Sequence, residues 1–178
     1  SIGASETALN IYLLEKLRTF HMEYPGIRLK IYNHSTPQAV QAVKNGEIDF
    51  AVVTTPTDAE TPLKKVDLYS FQEILVGGKT FMALGSQELS LAEVQNYPFI
   101  CLGRETQTWK FYQQIFERHG LELMPDTEVA TTDQILPLVK NELGMAFLPE
   151  AMAREAIEKG EIIELSLRES VPQRSVCM

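Results

Sequence analysis

The sequence has few of the residues on which several classes of protein depend. Its 178 residues include 2 cysteines, 3 histidines and 1 tryptophan, and 24 acidic residues outnumber 16 lysines and arginines. The net charge of −8 argues against a nucleic-acid-binding surface, which requires clustered basic residues. There is no run of about 18 apolar residues that could cross a membrane. The hydrophobic content of 44% is that of a globular chain, which could form one domain or two small lobes.

The cysteines and histidines indicate neither a disulfide nor a metal site. Cys101 and Cys177 lie far apart in apolar stretches. We expect both to be buried free thiols in a reducing compartment, which favours the cytoplasm. His21, His34 and His119 have no cysteine or carboxylate partners at metal-ligand spacing, so neither a metal nor a cofactor is predicted.

Catalytic motifs are scarce as well. Gly78-Lys79-Thr80 matches the end of a phosphate-binding loop, but Glu73 stands where the leading glycine should be. No Gly-x-Ser-x-Gly elbow occurs. A nucleophilic Cys101 near a helix start is the remaining enzymatic hypothesis, and an inert core cysteine is the more common case. The sequence therefore predicts a protein that is not an enzyme.

The stretch from Gly46 to Val53 indicates the fold class. Residues 37–45 are predicted to be a helix, and Gly46 follows it where the chain must turn left-handed. The apolar run that comes next is interrupted only by Asp49 and is typical of a strand buried in a parallel sheet. Thr54-Thr55-Pro56 then gives the carboxyl end of this strand a polar edge, where α/β proteins bind ligands.

Similar units recur along the chain. A helix from about 5 to 24, a strand at 27–31 and a helix at Pro37 with Thr36 as N-cap give the order β-α-β-α-β, which implies parallel strands. The other predicted elements are strands near 66–69, 73–77, 99–102, 128–130, 145–148, 162–167 and 176, and helices that begin near 90, 109, 133 and 149. The second half repeats the first, so the sequence predicts an α/β protein with two similar Rossmann-like lobes.

Hydroxyl side chains stand at the predicted strand-to-helix junctions. They are Ser5, Thr7, Ser35, Thr36, Thr106, Thr108, Thr131 and Thr132. Helix capping explains each of them singly. Together they indicate helix N-termini that converge on one ligand, and the partial positive charge of such termini suits an anion. Arg104 lies in one junction and is either a partner for a carboxylate or phosphate or a solvated surface arginine.

Several segments in order resemble the effector-binding domain of LysR-type transcriptional regulators. They are Gly3-Ala4-Ser5 before Tyr12-Leu13-Leu14, the turn from Phe20 to Pro25-Gly26, Gly46 to Ala51, Tyr97-Pro98-Phe99-Ile100, and Leu138-Val139 before Gly144-Met145-Ala146-Phe147-Leu148-Pro149. These segments span nearly the whole chain. The resemblance implies the fold of type II periplasmic binding proteins, in which two lobes are joined by two crossing segments. The crossings would lie near 70–71 and 162–163.

The resemblance also implies a division of the chain. Lobe I would comprise residues 1–71 and the return strands 163–178, and lobe II residues 72–162. In the family, a winged helix-turn-helix precedes this domain, and it is absent from this chain. We expect an excised domain, because the sequence begins and ends within apparent strands.

The effector site implied by the resemblance draws on both lobes. Its residues would be Ser5, Thr7, Ser35, Thr36, Thr54 and Thr55 in lobe I, and Gly103, Arg104, Thr106, Thr131 and Phe147 in lobe II. Most of these are neutral, so the charge of the effector stays open. The resemblance further implies a homodimer or tetramer, in which faces of residues 10–24 and 29–31 meet the second lobe of the partner.

Two functions fit these observations. The first is the inducer- or co-inducer-sensing domain of a LysR-type regulator, which relays effector binding to DNA-binding heads through the dimer. The alternative is a free-standing periplasmic solute-binding protein of a transporter. The free cysteines, the missing signal sequence and the Gly-Glu-Ile-Asp-Phe-Ala stretch favour the regulator.

Overall fold

The structure is a computed structural model, and it describes residues 1–57 and 61–178. Its contacts divide the chain into two units, Ser1–Phe71 with Arg174–Met178, and Gln72–Gln173. The chain thus leaves the first unit after Phe71 and returns to it at Arg174. The predicted return at 163 comes too early, because residues 163–165 pair antiparallel with 75–77 inside the second unit.

The first unit is built on one five-stranded sheet. Its elements are β1 Ile2–Ala4, α1 Glu6–Ala8, a π-helical segment Leu9–Leu13, α2 Leu14–Glu23, β2 Ile31–Asn33, α3 Thr36–Lys44, β3 Phe50–Thr54, β4 Asp67–Phe71 and β11 Arg174–Cys177. The strand order is β2-β1-β3-β11-β4. β1 runs parallel to both β2 and β3, which confirms the predicted β-α-β-α-β arrangement, and β11 is antiparallel to β3 and β4.

The second unit contains the remaining elements. They are β5 Glu73–Gly77, a 3₁₀ helix Lys79–Leu84, β6 Glu88–Leu89, α4 Leu91–Val94, β7 Ile100–Leu102, α5 Gln107–Arg118, β8 Thr127–Val129, a 3₁₀ turn Thr132–Gln134, α6 Ile135–Lys140, β9 Ala146–Pro149, α7 Glu150–Glu158 and β10 Ile163–Leu167. One sheet has the order β6-β10-β5-β9, and β7 pairs with β8 in parallel. A parallel bridge from Phe99 to Met145 links the start of β7 to the start of β9.

Some local details of the first unit agree with the predictions made from the sequence, and others differ from them. Gly46 has the expected positive φ of 71°, and Val52 and Val53 are buried. β2 begins only at Ile31 and not at 27. The N-cap of α3 is Ser35 rather than Thr36, because the backbone N–H of Ser35 donates to Gln38 Oε1 (2.9 Å) and thereby forms a capping box.

Each unit has its own hydrophobic core. In the first unit, α1, the π segment and the sheet bury a cluster that includes Ile2, Leu13 and Val176. The second unit has a larger core, in which Phe99 and Phe147 lie at the centre. Among the described residues no helix is long and apolar enough to cross a membrane.

Candidate functional site

The carboxyl ends of three parallel strands meet at one edge of the first unit. The backbone N–H of Ser5, just after β1, donates to Val52 O in β3 (3.1 Å). The hydroxyl of Thr36, at the start of α3, donates to Thr54 O at the end of β3 (3.2 Å). The structure therefore brings the candidate residues Ser5, Ser35, Thr36 and Thr54 to the same edge, as parallel pairing requires. We call this group, together with Thr7 and Thr55, the first polar edge.

Some hydroxyls of the first polar edge also stabilise helix starts. Ser5 is the N-cap of α1, and its Oγ accepts a hydrogen bond from the N–H of Ala8 (3.3 Å). Thr7 and Thr36 are each 6% exposed, whereas Ser5, Ser35 and Thr55 are half-buried. The geometry of this edge therefore allows its hydroxyls both to cap helices and to bind a ligand, which are the two explanations that the sequence left open.

Arg174 is a buried cation next to the first polar edge, and sequence reasoning missed it. Its Nη2 donates to Thr54 Oγ1 (3.1 Å) and its Nε to Thr55 O (2.7 Å). Its side chain is 2% exposed. The signal that could have found it is the alternation in β11, where Arg174 shares a face with the buried Val176.

The second unit has a comparable edge between β7 and α5. Thr106 is the N-cap of α5, where its Oγ1 accepts from Trp109 N–H (3.1 Å) and donates to Gly103 O (2.8 Å). The N–H of Gly103 donates to Val129 O at the end of β8 (3.1 Å). Thr131 follows β8 as the N-cap of the short 3₁₀ turn. Parallel pairing of β7 and β8 therefore places Gly103, Thr106 and Thr131 at a second polar edge, which also includes Arg104.

Arg104 lies on the surface of the second polar edge. Its side chain is 67% exposed, its Nε lies 3.9 Å from Glu128 Oε1, and its guanidinium carbon lies 5.6 Å from the centre of the Trp109 ring. An exposed ion pair of this kind contributes little to folding. The guanidinium is therefore accessible to an anionic ligand at a small cost in stability.

Phe147 does not belong to either polar edge in this structure. It is 1% exposed in the middle of β9, with ring centroids at 5.8 Å from Phe99 and 5.0 Å from Tyr112. Its side chain is part of the hydrophobic core of the second unit. Sequence reasoning also missed a buried carboxylate, that of Glu73, which is 2% exposed. It accepts a hydrogen bond from the hydroxyl of Tyr112 (2.8 Å), whose ring contacts Phe147.

The two cysteines are buried and free, as predicted. Each is 1% exposed. Burial raises the pKa of the Cys101 thiol to about 12 and also raises the pKa of Cys177. A thiol with so high a pKa stays protonated at neutral pH, which argues against the nucleophilic Cys101 hypothesis. Within residues 1–57 and 61–178, no group of three or more histidine, cysteine and acidic side chains could hold a metal ion.

Comparison with known families identifies the class of protein. The family model described as the LysR substrate binding domain matches residues 1–178, so the chain belongs to that family. The predicted resemblance is confirmed, and the chain is a ligand-sensing regulatory domain of LysR type. The match favours the regulator over the transporter component that was the alternative.

Curated relatives of the chain are transcriptional regulators. The chain is 27% identical over 168 residues to the probable RuBisCO transcriptional regulator of Porphyra purpurea, covering 89% of this chain and 52% of the relative. It is 25% identical over 144 residues to the HTH-type transcriptional regulator SsuR of Burkholderia cenocepacia, covering 81% of this chain and 46% of the relative. The chain thus spans about half the length of the curated relatives it matches.

Solved structures confirm the fold class. The regulatory domain of Synechocystis PCC6803 CcmR in complex with 2-PG matches with a TM-score of 0.85 and 18% identity, over 99% of this chain and 84% of that one. The effector binding domain of QuiR in complex with shikimate matches with a TM-score of 0.82 and 14% identity, with the same coverage. The fold is therefore that of LysR regulatory domains, which is the type II periplasmic-binding-protein fold.

Proposed function

We propose that this chain binds a small-molecule effector through its polar edges and, as part of a longer regulator, relays that binding to a DNA-binding segment. The observation that carries the proposal is the convergence of Ser5, Ser35, Thr36 and Thr54 at the carboxyl ends of parallel strands. Ligands of α/β proteins bind at such strand ends, where helix N-termini supply free N–H groups. The proposed binding residues are Ser5, Thr7, Ser35, Thr36, Thr54 and Thr55 in the first unit and Gly103, Arg104, Thr106 and Thr131 in the second.

The proposed effector is a small hydroxylated organic acid. Hydroxyl side chains and helix N-termini recognise such a molecule through many directional hydrogen bonds, and the exposed Arg104 supplies a positive charge. One structural neighbour supports this class of ligand, since QuiR was solved with shikimate. Effector binding shifts a regulator only when its two states differ in affinity for the effector.

Thermal unfolding of the protein with a panel of organic acids, including shikimate and 2-PG, tests this proposal. An effector at 100 times its Kd should add about 2.7 kcal/mol to the free energy of unfolding. For a chain of this size that corresponds to a rise in Tm of roughly 5–10 °C. A flat response to the whole panel would contradict the proposed class of effector.

Variants of the two edges locate the binding site. In Arg104→Ala and in Thr36→Val we expect the ligand-induced rise in Tm to be lost while the protein remains folded. Arg168→Ala is the matched control for Arg104→Ala, because Arg168 is 64% exposed and its Nε lies 3.8 Å from Glu88 Oε2. If both Arg104→Ala and Thr36→Val kept the full rise in Tm, the effector would bind elsewhere.

We further propose that the protein assembles as a homodimer or tetramer through α2, β2 and the turn between them. This surface of the first unit exposes several large apolar side chains, namely Leu14, Met22, Tyr24, Ile27, Ile31 and Tyr32, with exposed fractions of 42–72%. Among the described strands, β2 also lies at the edge of its sheet and has one unpaired side. Several exposed apolar side chains beside an open strand edge are typical of a protein–protein interface.

Introducing negative charge on this apolar surface should separate the subunits. The double variant Met22→Glu with Ile31→Glu is expected to sediment as a monomer at micromolar concentration, because each glutamate would have to be buried without a partner in the interface. Val66→Glu serves as the control, since Val66 is also exposed (48%) in the first unit but directly precedes β4, at the opposite edge of the sheet from β2. A dimer of unchanged stability in the double variant would refute this interface.

The proposed setting is the cytoplasm, where a regulator must act to reach DNA. The net charge of −8 leaves this chain poorly suited to grip DNA itself. We therefore propose that DNA contact is made by a separate segment of the full regulator. Joining a winged helix-turn-helix to this chain should produce effector-dependent operator binding, and effector-independent binding would contradict the relay.

A further inference from the structure

Arg174 connects three parts of the first unit, namely β11, the first polar edge and the last residue of β4. It is the first residue after the chain returns from the second unit. Its guanidinium donates to Thr54 and Thr55 at the first polar edge. The same guanidinium lies over the ring of Phe71, with 5.6 Å between its central carbon and the ring centre, and Phe71 is the last residue before the chain leaves.

The backbone reinforces this connection. Arg174 lies opposite Phe71 in the register of β11 and β4, so the two crossing segments are paired directly where they meet the first unit. On the other side of β11, the N–H of Ser175 donates to Thr55 Oγ1 (2.8 Å) and the N–H of Thr55 donates to Ser175 O (2.9 Å). Thr54 and Thr55 are therefore joined to both crossings by a few short contacts.

Burial makes these contacts specific to arginine. Removing a cation from water is unfavourable unless hydrogen bonds replace the lost hydration. At 2% exposure, Arg174 depends on such bonds, and its planar guanidinium directs two of them at fixed angles to Thr54 Oγ1 and Thr55 O. A lysine has the same charge, but its single ammonium cannot reproduce this two-point geometry together with the contact to Phe71.

We propose that Arg174 is a positioning residue: it holds Thr54 and Thr55 in the conformation that binds the effector and couples them to both crossing segments. This inference rests on the proposed binding of an effector at the first polar edge. It adds a residue that does not itself touch the ligand and a route by which binding reaches the connection between the units. The coupling energy of such a route is the difference in ligand affinity between the two arrangements of the edge.

Amide hydrogen exchange tests the positioning without a ligand. In Arg174→Met and in Arg174→Lys, exchange at Thr55 and Ser175 is expected to be at least tenfold faster than in the wild type. Amides of the second unit, such as that of Thr80, should be unaffected. Lys44→Met, which replaces an exposed cation in α3 of the same unit, is the control and should leave the exchange rates of Thr55 and Ser175 unchanged. Exchange at Thr55 and Ser175 that equals the wild-type rate would overturn the proposal.

Calorimetric titration with shikimate and 2-PG tests the functional consequence. We expect the Kd of the probe that binds the wild type to rise at least tenfold in Arg174→Lys, measured at a temperature where this variant is fully folded. A purely structural role would lower the Tm and leave the Kd of the folded fraction unchanged, which would overturn the proposal. A Kd of Arg174→Lys equal to that of the wild type would also overturn it, because the positive charge alone would then suffice to position the edge.

The same experiment separates this inference from the proposed function. If neither probe binds the wild type, the proposed class of effector fails, whereas the exchange rates at Thr55 and Ser175 still decide whether Arg174 holds the edge. If the wild type binds and Arg104→Ala abolishes binding but Arg174→Lys keeps the wild-type Kd, the effector site stands and the positioning role is refuted.

Discussion

Replacing Phe147 with alanine is expected to lower the free energy of unfolding by about 3–5 kcal/mol, the usual cost of truncating a buried phenylalanine. Phe147 is 1% exposed, and its ring contacts Phe99 and Tyr112 in the core of the second unit. Phe147 lies in β9, which is paired with β5, so the backbone around the cavity can collapse only in part. The sequence has 1 tryptophan, Trp109, and it lies in the second unit. Urea unfolding followed by its fluorescence therefore measures the stability of that unit directly.

The exposed Phe50 provides the control for this truncation. It is 37% exposed at the start of β3, and Phe50→Ala should cost about 1 kcal/mol or less. The comparison also decides the role that the family resemblance implied for Phe147. A Phe147→Leu variant with wild-type stability but no effector binding would restore Phe147 to the binding site, whereas we expect this variant to bind normally.

Replacing Gly144 with alanine is expected to cost at least about 2–3 kcal/mol, because a conformational penalty and a steric clash add together. Gly144 has a φ of 155°, which side-chain-bearing residues rarely adopt. A Cβ at this position would lie 2.4 Å from Pro98 O, a backbone atom. That carbonyl accepts the N–H of Met145 (2.8 Å), so the clash falls on the bridge between the starts of β7 and β9.

Gly26→Ala is the matched control for Gly144→Ala. No atom lies within 4 Å of the position that a Cβ of Gly26 would occupy. The stability of Gly26→Ala should therefore stay within about 0.5 kcal/mol of the wild type. If urea unfolding gave the same loss of stability in the two variants, the φ of Gly144 and its contact with Pro98 would not be the cause of the loss.

Much of the fold follows from local signals in the sequence. The glycine at 46 and the apolar run after it predicted a buried parallel strand, and β3 pairs in parallel with β1 as expected. The Ser90-Leu91-Ala92-Glu93 capping box forms with both of its hydrogen bonds, Ser90 N–H to Glu93 Oε2 and Glu93 N–H to Ser90 Oγ. These features depend on neighbours within a few residues, so the chain specifies them wherever they lie in the fold.

The first polar edge was predictable for a similar reason. Hydroxyls directly after parallel strands must lie on the same side of the sheet, because all carboxyl ends of such strands point one way. Ser5, Thr36 and Thr54 needed only the order of the elements to be placed together. The family resemblance then supplied the function, which composition alone did not.

Other features were decided by tertiary pairing. β10 lies in the second sheet because its residues pair with β5, some ninety positions earlier in the chain, and no local pattern reveals which partner a strand selects. The same holds for Phe147, which the family resemblance placed in the effector site and which packs in the core of the second unit. Periodicity shows that a side chain is buried, but the partners of that side chain are set by the whole fold.

The sequence by itself determined the family, the alternation of strands and helices and the polar edge of the first unit, because each rests on short-range patterns. Only the tertiary structure decided how that edge is supported. Arg174 reaches Thr55 across 119 residues of sequence, and a buried cation becomes tolerable only once folding has brought those oxygens within hydrogen-bonding distance.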